Sequence, residues 1–320
     1  SNGIAYLTMK AILIVDIDTP ASTAVADIYD YLNCLYSDPF ILPEFAGQAP
    51  RYQLSDVNLS NLTSVDASPI LQRVVDAIQT QWQWPATYAY RYGDIGITRG
   101  IQYLLQETNG QLDHLHIIPL FPQRTALASQ SIKTAMHHYI SPFKIPMSLT
   151  VQKPYMTTAA YQLAIAEQLK QYDQHMAVIA GFHGASVDLI KKMDPTRITC
   201  LSKPNCCENP SPVSDGCSRR QAHALCNAID TRIQPVFLDH LFVESDAYLD
   251  SSMKGRDLLD SRNTVGLIPN WITPSITQQL DSHYLDCWVQ SKCQTNYTRL
   301  PNLSPDAQYQ VIVSSIGLNP

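Results

Sequence analysis

Short apolar runs alternate with amphipathic segments along most of the chain. The apolar runs have the length and composition of buried parallel strands, and they lie at 11–15, 87–90, 114–120, 147–151, 176–182, 235–243 and 264–268. The segments between them have helical spacing, often with Ser, Thr or Asp near the start, and they lie at 24–35, 69–81, 97–106, 129–139, 159–171, 218–229, 276–284 and 306–316. Because strands that alternate with helices of about 10–15 residues build βαβ units, the sequence predicts an α/β fold with parallel sheets.

The length of the chain and one proline-containing connection predict two lobes. The chain has 320 residues, enough for two domains of roughly 100–200 residues each. The connection at 141–146 contains two prolines and divides the chain into halves of similar size. We therefore expect an N-terminal lobe at 9–145 and a C-terminal lobe at 146–320, each doubly wound and Rossmann-like. No Gly-x-Gly-x-x-Gly loop follows a predicted strand, so a dinucleotide cofactor is not expected.

The composition argues against two classes of partner. Charged residues make up 16% of the chain and the formal net charge is -6, so there is no basic field to attract nucleic acid. No apolar run approaches the roughly 18–20 residues that a membrane helix needs, and the start of the sequence does not resemble a signal peptide. We expect a cytoplasmic globular protein that binds no nucleic acid.

The apolar run at 176–182 ends in the sequence Gly-Phe-His-Gly, with His183 between Phe182 and Gly184. Open α/β sheets bind ligands at the carboxyl ends of their strands, so we expect His183 to face a cleft. An imidazole that titrates near neutrality can accept a proton or bind a metal ion there. The alternative is a histidine that only satisfies hydrogen bonds in a loop.

A segment at 197–217 is rich in cysteine and proline, and it contains Cys200, Cys206, Cys207 and Cys217. Four thiols this close together are typical of an iron-sulfur cluster, a structural zinc site or a pair of disulfides. A cytoplasmic location argues against structural disulfides, but the spacing alone does not separate iron-sulfur from zinc.

Several motifs occur in an order that resembles ferrochelatases. They are Ile-Leu-Ile-Val-Asp-Ile-Asp-Thr-Pro at 12–20, Ser-Asp-Pro at 37–39, Ala-Tyr-Arg-Tyr-Gly at 89–93, Ile-Pro-Leu-Phe-Pro-Gln at 118–123, Phe-His-Gly at 182–184, Asp-Pro at 194–195 and Asp-His-Leu at 239–241. Each motif is weak by itself, but their order over most of the chain is fairly specific. The resemblance implies a fold like that of the class II chelatases and a lyase that inserts ferrous iron into a porphyrin in haem biosynthesis.

The resemblance assigns the catalytic and metal-binding roles to His183 and a carboxylate. Two pyrrole protons must leave as the metal enters, which requires a base and an acidic partner; His183 matches the family's catalytic histidine. Its partner in the family is the glutamate of an Asp-His-x-Glu motif, but strict register places Phe242 there, with Glu244 two residues farther on. Either a bulge or a helical turn brings Glu244 into the cleft, or the carboxylate has been lost.

The resemblance also implies substrate-binding roles for five residues, namely Ile17, Arg91, Tyr92, Gln123 and His240. Arg91 matches an arginine that could orient a porphyrin propionate or the water network on the metal side, and the alternative is a surface ion pair after a strand. Ile17 either faces the macrocycle or belongs to the core. Gln123 either faces the site or satisfies backbone hydrogen-bonding groups. His240 either supports the residues that contact the substrate or caps a loop or a helix.

Some bacterial ferrochelatases carry a 2Fe-2S cluster with several ligands in an internal segment of this kind, which favours a cluster over zinc at 197–217. The chain departs from the family at Asp16, where asparagine is usual, and at 41–66, which is shorter than the lip region that covers the porphyrin and meets a membrane or partner. Asp16 and Asp18 are expected to cap the following helix or to bind the incoming metal.

Three functions remain open. The first is a ferrochelatase acting on protoporphyrin or coproporphyrin. The motifs occur in order through both halves of the chain, which fits ferrochelatases better than the small single-lobe cobalt chelatases. The others are a cobalt or nickel chelatase and a tetrapyrrole-binding or regulatory protein with altered catalysis. Transient membrane association and the oligomeric state also stay open.

Overall fold

The computed structural model describes residues 9–17, 19–41, 59–92, 96–121, 130–141, 147–152, 155, 158–183, 187–194, 196–202, 206, 217–238, 263–269, 272–292 and 296–317. Within these ranges the chain forms two four-stranded sheets, and every strand pair is parallel. The predicted α/β fold with parallel sheets is therefore confirmed.

The first sheet has the order β2-β1-β3-β4. Its strands are β1 (Lys10–Asp16), β2 (Ala86–Tyr90), β3 (His114–Pro119) and β4 (Ser148–Val151). The central strand β1 is buried at every position after Lys10, as expected for a parallel strand covered on both faces.

The second sheet repeats this arrangement with the order β6-β5-β7-β8. Its strands are β5 (Ala177–His183), β6 (Ile233–Leu238), β7 (Thr264–Leu267) and β8 (Tyr297–Arg299). In both sheets the chain first adds a strand on one side of the opening strand and then moves to the other side. The carboxyl ends of β1 and β5 are therefore topological switch points, where doubly wound folds bind their ligands.

Nine α-helices lie within the described ranges, together with a short 3₁₀ turn at Leu59–Asn61. They are α1 (Val25–Tyr36), α2 (Ser68–Trp82), α3 (Ile97–Glu107), α4 (Ile132–Ile140), α5 (Ala159–Leu169), α6 (Val187–Met193), α7 (Ser218–Ile229), α8 (Ile276–Lys292) and α9 (Pro305–Ser315). The last helix, α9, packs against α2 and α5. No helix within these ranges is long and apolar enough to cross a membrane.

Two apolar clusters form the core, and each draws on both sheets. One joins Leu13 and Val15 of β1 to Leu280 and Leu285 of α8. The other joins the opposite face of β1 to β5, α5 and α9. The two sheets therefore share their apolar packing.

The structure differs from the sequence-based expectations at three elements. Strand β8 was not predicted, because its three residues contain no apolar run, and α6 was not predicted, because it buries no residue fully. Strand β4 pairs with β3, so the first sheet extends beyond the boundary expected after residue 145. The prolines at 142–146 precede a strand of the first sheet.

Candidate functional site

His183 is the last residue of β5 and lies at the switch point of the second sheet. The five residues before it are buried, whereas its own side chain is 32% exposed. It pairs in register with Leu238, the last residue of β6. The end of β6, which the Asp-His-Leu motif follows in the sequence, is therefore directly beside this histidine.

A carboxylate from another element contacts the imidazole of His183. Its Nε2 lies 2.7 Å from Oδ2 of Asp281 on α8, and the Asp281 side chain is only 3% exposed. Burial opposes the charged imidazolium, but the charge of Asp281 and its hydrogen bond outweigh it and raise the pKa of His183 above its ordinary value. The pair can accept a proton on the ring and stabilise it there.

Asp281 lies on the buried face of α8. Residues Thr277, Asp281, Leu285 and Val289 follow one another at intervals of four and are at most 3% exposed. Residues four apart share one face of a helix, so the core-facing stripe of α8 contains a carboxylate. Sequence reasoning missed Asp281; an acidic residue four positions before Leu285 and eight before Val289 on one helical face was the signal that could have identified it.

The start of α8 is bound to the end of β1 in the other lobe. Thr273 donates a hydrogen bond of 2.7 Å to Oδ2 of Asp16, and the amide of Ile276 donates one of 3.3 Å to the hydroxyl of Thr19. The segment after β1 therefore positions the helix that carries the histidine's carboxylate.

Asp16 does not cap the following helix, which corrects one of the two roles expected for it. Its Oδ1 accepts from the amide of Ile17 and its Oδ2 from Thr273, whereas α1 begins only at Val25. Burial raises the pKa of Asp16, although both hydrogen bonds oppose this shift. Asp18 lies outside the described residues.

Ile17 is 4% exposed and belongs to the core cluster that includes β1 and α8. Its amide is bound to Asp16, and its carbonyl accepts a hydrogen bond from Tyr92. The structure therefore places Ile17 in the core, which was the alternative to a role at the macrocycle.

Arg91 and Tyr92 follow β2 and form a network around one buried carboxylate. Asp38, in the turn after α1, accepts hydrogen bonds from Arg91 at 3.2 Å, from the hydroxyl of Tyr92 at 2.7 Å and from Ser131. Arg91 also donates to Ser131 at 2.7 Å. Burial and the Asp38 carboxylate raise the pKa of Tyr92 well above its ordinary value, so this hydroxyl remains a donor.

Arg91 does form an ion pair after its strand, but its partner Asp38 is buried, so the pair is not at the surface as the alternative expected. The network ties the ends of α1, β2 and the start of α4 together, and the Arg91 side chain is 21% exposed. Its predicted contact with a porphyrin propionate stays a prediction.

Four predicted site residues lie outside the described residues: Gln123, His240, Glu244 and Cys207. Their roles stay predictions.

The other predicted cluster ligands, Cys200, Cys206 and Cys217, carry thiols rather than disulfides. Burial, the charge of Asp194 and the neighbouring Cys217 and Cys206 raise the pKa of Cys200 to about 11. No three or more His, Cys, Asp or Glu side chains in the described ranges are arranged to hold a metal ion. The described cysteines alone therefore do not form a zinc or iron-sulfur site.

Comparison with known proteins gives consistent results. A family model described as Ferrochelatase matches residues 9–205. A ferrochelatase of Pseudomonas fluorescens (strain SBW25) is 24% identical over 244 residues, covering 71% of this chain and 70% of that protein. A ferrochelatase of Azotobacter vinelandii is 24% identical over 295 residues, covering 86% and 80%.

Two solved structures share the fold. SirB from Bacillus subtilis with Fe³⁺ has a TM-score of 0.53 at 12% identity and covers 95% of this chain and 93% of that one. The sirohydrochlorin chelatase SirB from Bacillus subtilis subspecies spizizenii in complex with cobalt has a TM-score of 0.51 at 10% identity and covers 97% and 94%. Both similarities concern architecture.

Proposed function

The chain belongs to the ferrochelatase family, and we propose that it is a tetrapyrrole chelatase that inserts ferrous iron into a porphyrin in haem biosynthesis. The observation that carries this proposal is the pairing of His183, at the carboxyl end of a central strand, with the buried carboxylate of Asp281. His183 lies within the residues that match the family, 9–205.

The proposed chemistry is proton removal coupled to metal entry. A porphyrin that takes up a divalent cation loses two pyrrole protons, so its net charge is unchanged. The imidazole of His183 accepts these protons one at a time and passes them to solvent through its exposed edge. The neighbouring carboxylate stabilises the imidazolium that forms in each step.

Glu244 remains the predicted second catalytic residue. It follows the end of β6, whose last residue, Leu238, pairs with His183. A carboxylate in this segment would attract the incoming divalent cation through its opposite charge. Phe242 at the position of the family's glutamate favours the alternative of a tetrapyrrole-binding protein with altered catalysis.

The test is anaerobic absorption spectroscopy of the purified protein with ferrous iron and either protoporphyrin IX or coproporphyrin III. A parallel series with sirohydrochlorin and cobalt probes the substrate named for the SirB neighbour. The variants are His183→Ala and, as a matched control, His138→Ala, which removes an exposed histidine on α4.

Metalloporphyrin bands that form with the wild type and His138→Ala but not with His183→Ala would support the proposal. A shifted porphyrin spectrum without insertion would instead indicate a binding protein, and insertion confined to cobalt and sirohydrochlorin would move the assignment to that chelatase class. An unchanged spectrum with every tetrapyrrole would contradict all of these functions.

A further inference from the structure

We propose that Asp281 is the positioning residue of His183: it holds the imidazole in one orientation and one tautomer for the metal-insertion reaction. The kinetic part of this inference rests on the function proposed above. The part that concerns the ring itself does not, because it can be measured without turnover.

The contact determines which ring nitrogen carries the proton. Asp281 Oδ2 lies 2.7 Å from Nε2 of His183, and an ionised carboxylate can only accept a hydrogen bond. A neutral imidazole at this distance must therefore carry its proton on Nε2 and its lone pair on Nδ1. Carboxylates fix the tautomer and the ring orientation of functional histidines in this way.

Burial makes Asp281 a positioning residue rather than a group that touches substrate. The residue is 2% exposed and lies on the core face of α8, whereas the His183 side chain is 32% exposed. The partly exposed imidazole can contact a substrate, whereas the covered carboxylate acts through the ring.

The carboxylate is held in place by the opposite lobe. Besides the contacts of Thr273 and Ile276 with the end of β1, Gln279 accepts a 3.0 Å hydrogen bond from the amide of Thr63 and donates one of 2.7 Å to its carbonyl. These contacts fix the first turns of α8 just ahead of Asp281. The first lobe therefore sets the position of the carboxylate, while the second lobe carries the histidine on β5.

Asp281 is distinct from the carboxylate that the family resemblance implies. The resemblance points to the segment after β6, where Phe242 and Glu244 lie, whereas Asp281 is on α8 and beyond the matched residues 9–205.

The direct test is nuclear magnetic resonance of ¹⁵N-histidine-labelled protein at a pH where the ring is neutral, with the His183 signals assigned from a His183→Gln sample. The wild type should show the Nε2-protonated tautomer alone. Asp281→Asn keeps the side-chain shape, Asp281→Ala removes it, and both should give mixed or reversed tautomers. The control Asp286→Asn alters an acid on the same helix that binds Tyr297 and Arg299 instead, and it should leave the His183 signals unchanged.

The kinetic test compares the same variants. Removing a carboxylate that is hydrogen-bonded to a functional histidine typically lowers metal affinity or activity by about 10–100-fold. We therefore expect kcat for metal insertion to fall by that factor in both Asp281 variants. KM for the porphyrin should stay within about twofold, because the lost interaction concerns the reacting group and not substrate binding.

A His183 tautomer that is the same in the wild type and both Asp281 variants would overturn the inference, as would an unchanged kcat in a protein that is active. If the wild type inserts no metal, the proposed function fails, yet the tautomer measurement still decides the role of Asp281.

Discussion

The carboxylate of Asp16, at the end of the central strand of the first sheet, accepts a 2.7 Å hydrogen bond from the hydroxyl of Thr273, just ahead of α8. Both residues are buried. A hydrogen bond to a buried carboxylate is stronger than one between neutral groups, so this contact is a specific link between the end of β1 in the first lobe and the segment that leads into α8 in the second.

Thr273→Val should lower the free energy of unfolding by about 1–3 kcal/mol at neutral pH, because it leaves a buried carboxylate oxygen without its donor. Urea unfolding would measure the loss. Thr277→Val is the matched control, since the Thr277 hydroxyl is buried and has no hydrogen-bond partner among the described residues. That variant should be neutral or stabilising; equal losses in both variants would contradict the assigned role of Thr273.

Asp16→Asn should raise the free energy of unfolding at neutral pH. The increase should shrink as the pH falls towards about 4, the ordinary pKa of an aspartate. Burial raises the pKa of Asp16 in the folded state, so keeping it ionised costs folding free energy above that pKa. The cost disappears below the pKa of the unfolded chain. Unfolding at a series of pH values would show the trend, and a difference independent of pH would refute it.

Asp38→Ala should lower the free energy of unfolding by about 3–5 kcal/mol, because it leaves the guanidinium of Arg91 and the hydroxyl of Tyr92 without their shared acceptor in a mostly buried site. Asp306→Ala breaks an ion pair with Arg73 in which both side chains are largely exposed, and its effect should be far smaller. Thermal unfolding of both variants would test the contrast; similar losses would mean that the buried network contributes no more than a surface pair.

If the segment at 197–217 binds the predicted 2Fe-2S cluster, protein purified without oxygen should contain about two iron atoms per chain and show charge-transfer absorption in the visible region. Zinc would give about one metal ion and no such absorption. Cys206→Ser should abolish the bound metal, whereas Cys34→Ser, at an exposed cysteine on α1, should not. A wild-type protein without bound metal would rule out both sites.

Much of the fold could be predicted from apolar spacing. The strands found at Lys10–Asp16, Ala86–Tyr90 and Thr264–Leu267 lie within a residue or two of their predicted bounds, since buried parallel strands are continuous apolar runs between turn residues. Strand β8 was not predicted because a three-residue edge strand with two half-buried residues and one exposed residue has no such signature. Strand β4 was predicted, but the sheet to which it belongs is decided by its pairing with β3.

The sequence by itself determined the class of fold, the order of its elements, the resemblance to ferrochelatases and the place of His183 at the end of a strand. All of these follow from local patterns, because burial and backbone geometry impose a periodicity that the residues must satisfy. Only the tertiary structure decided that Asp281 contacts His183 and that Thr273 reaches Asp16. Such contacts join residues far apart in the chain, and they depend on how helices and strands pack rather than on any spacing within one segment.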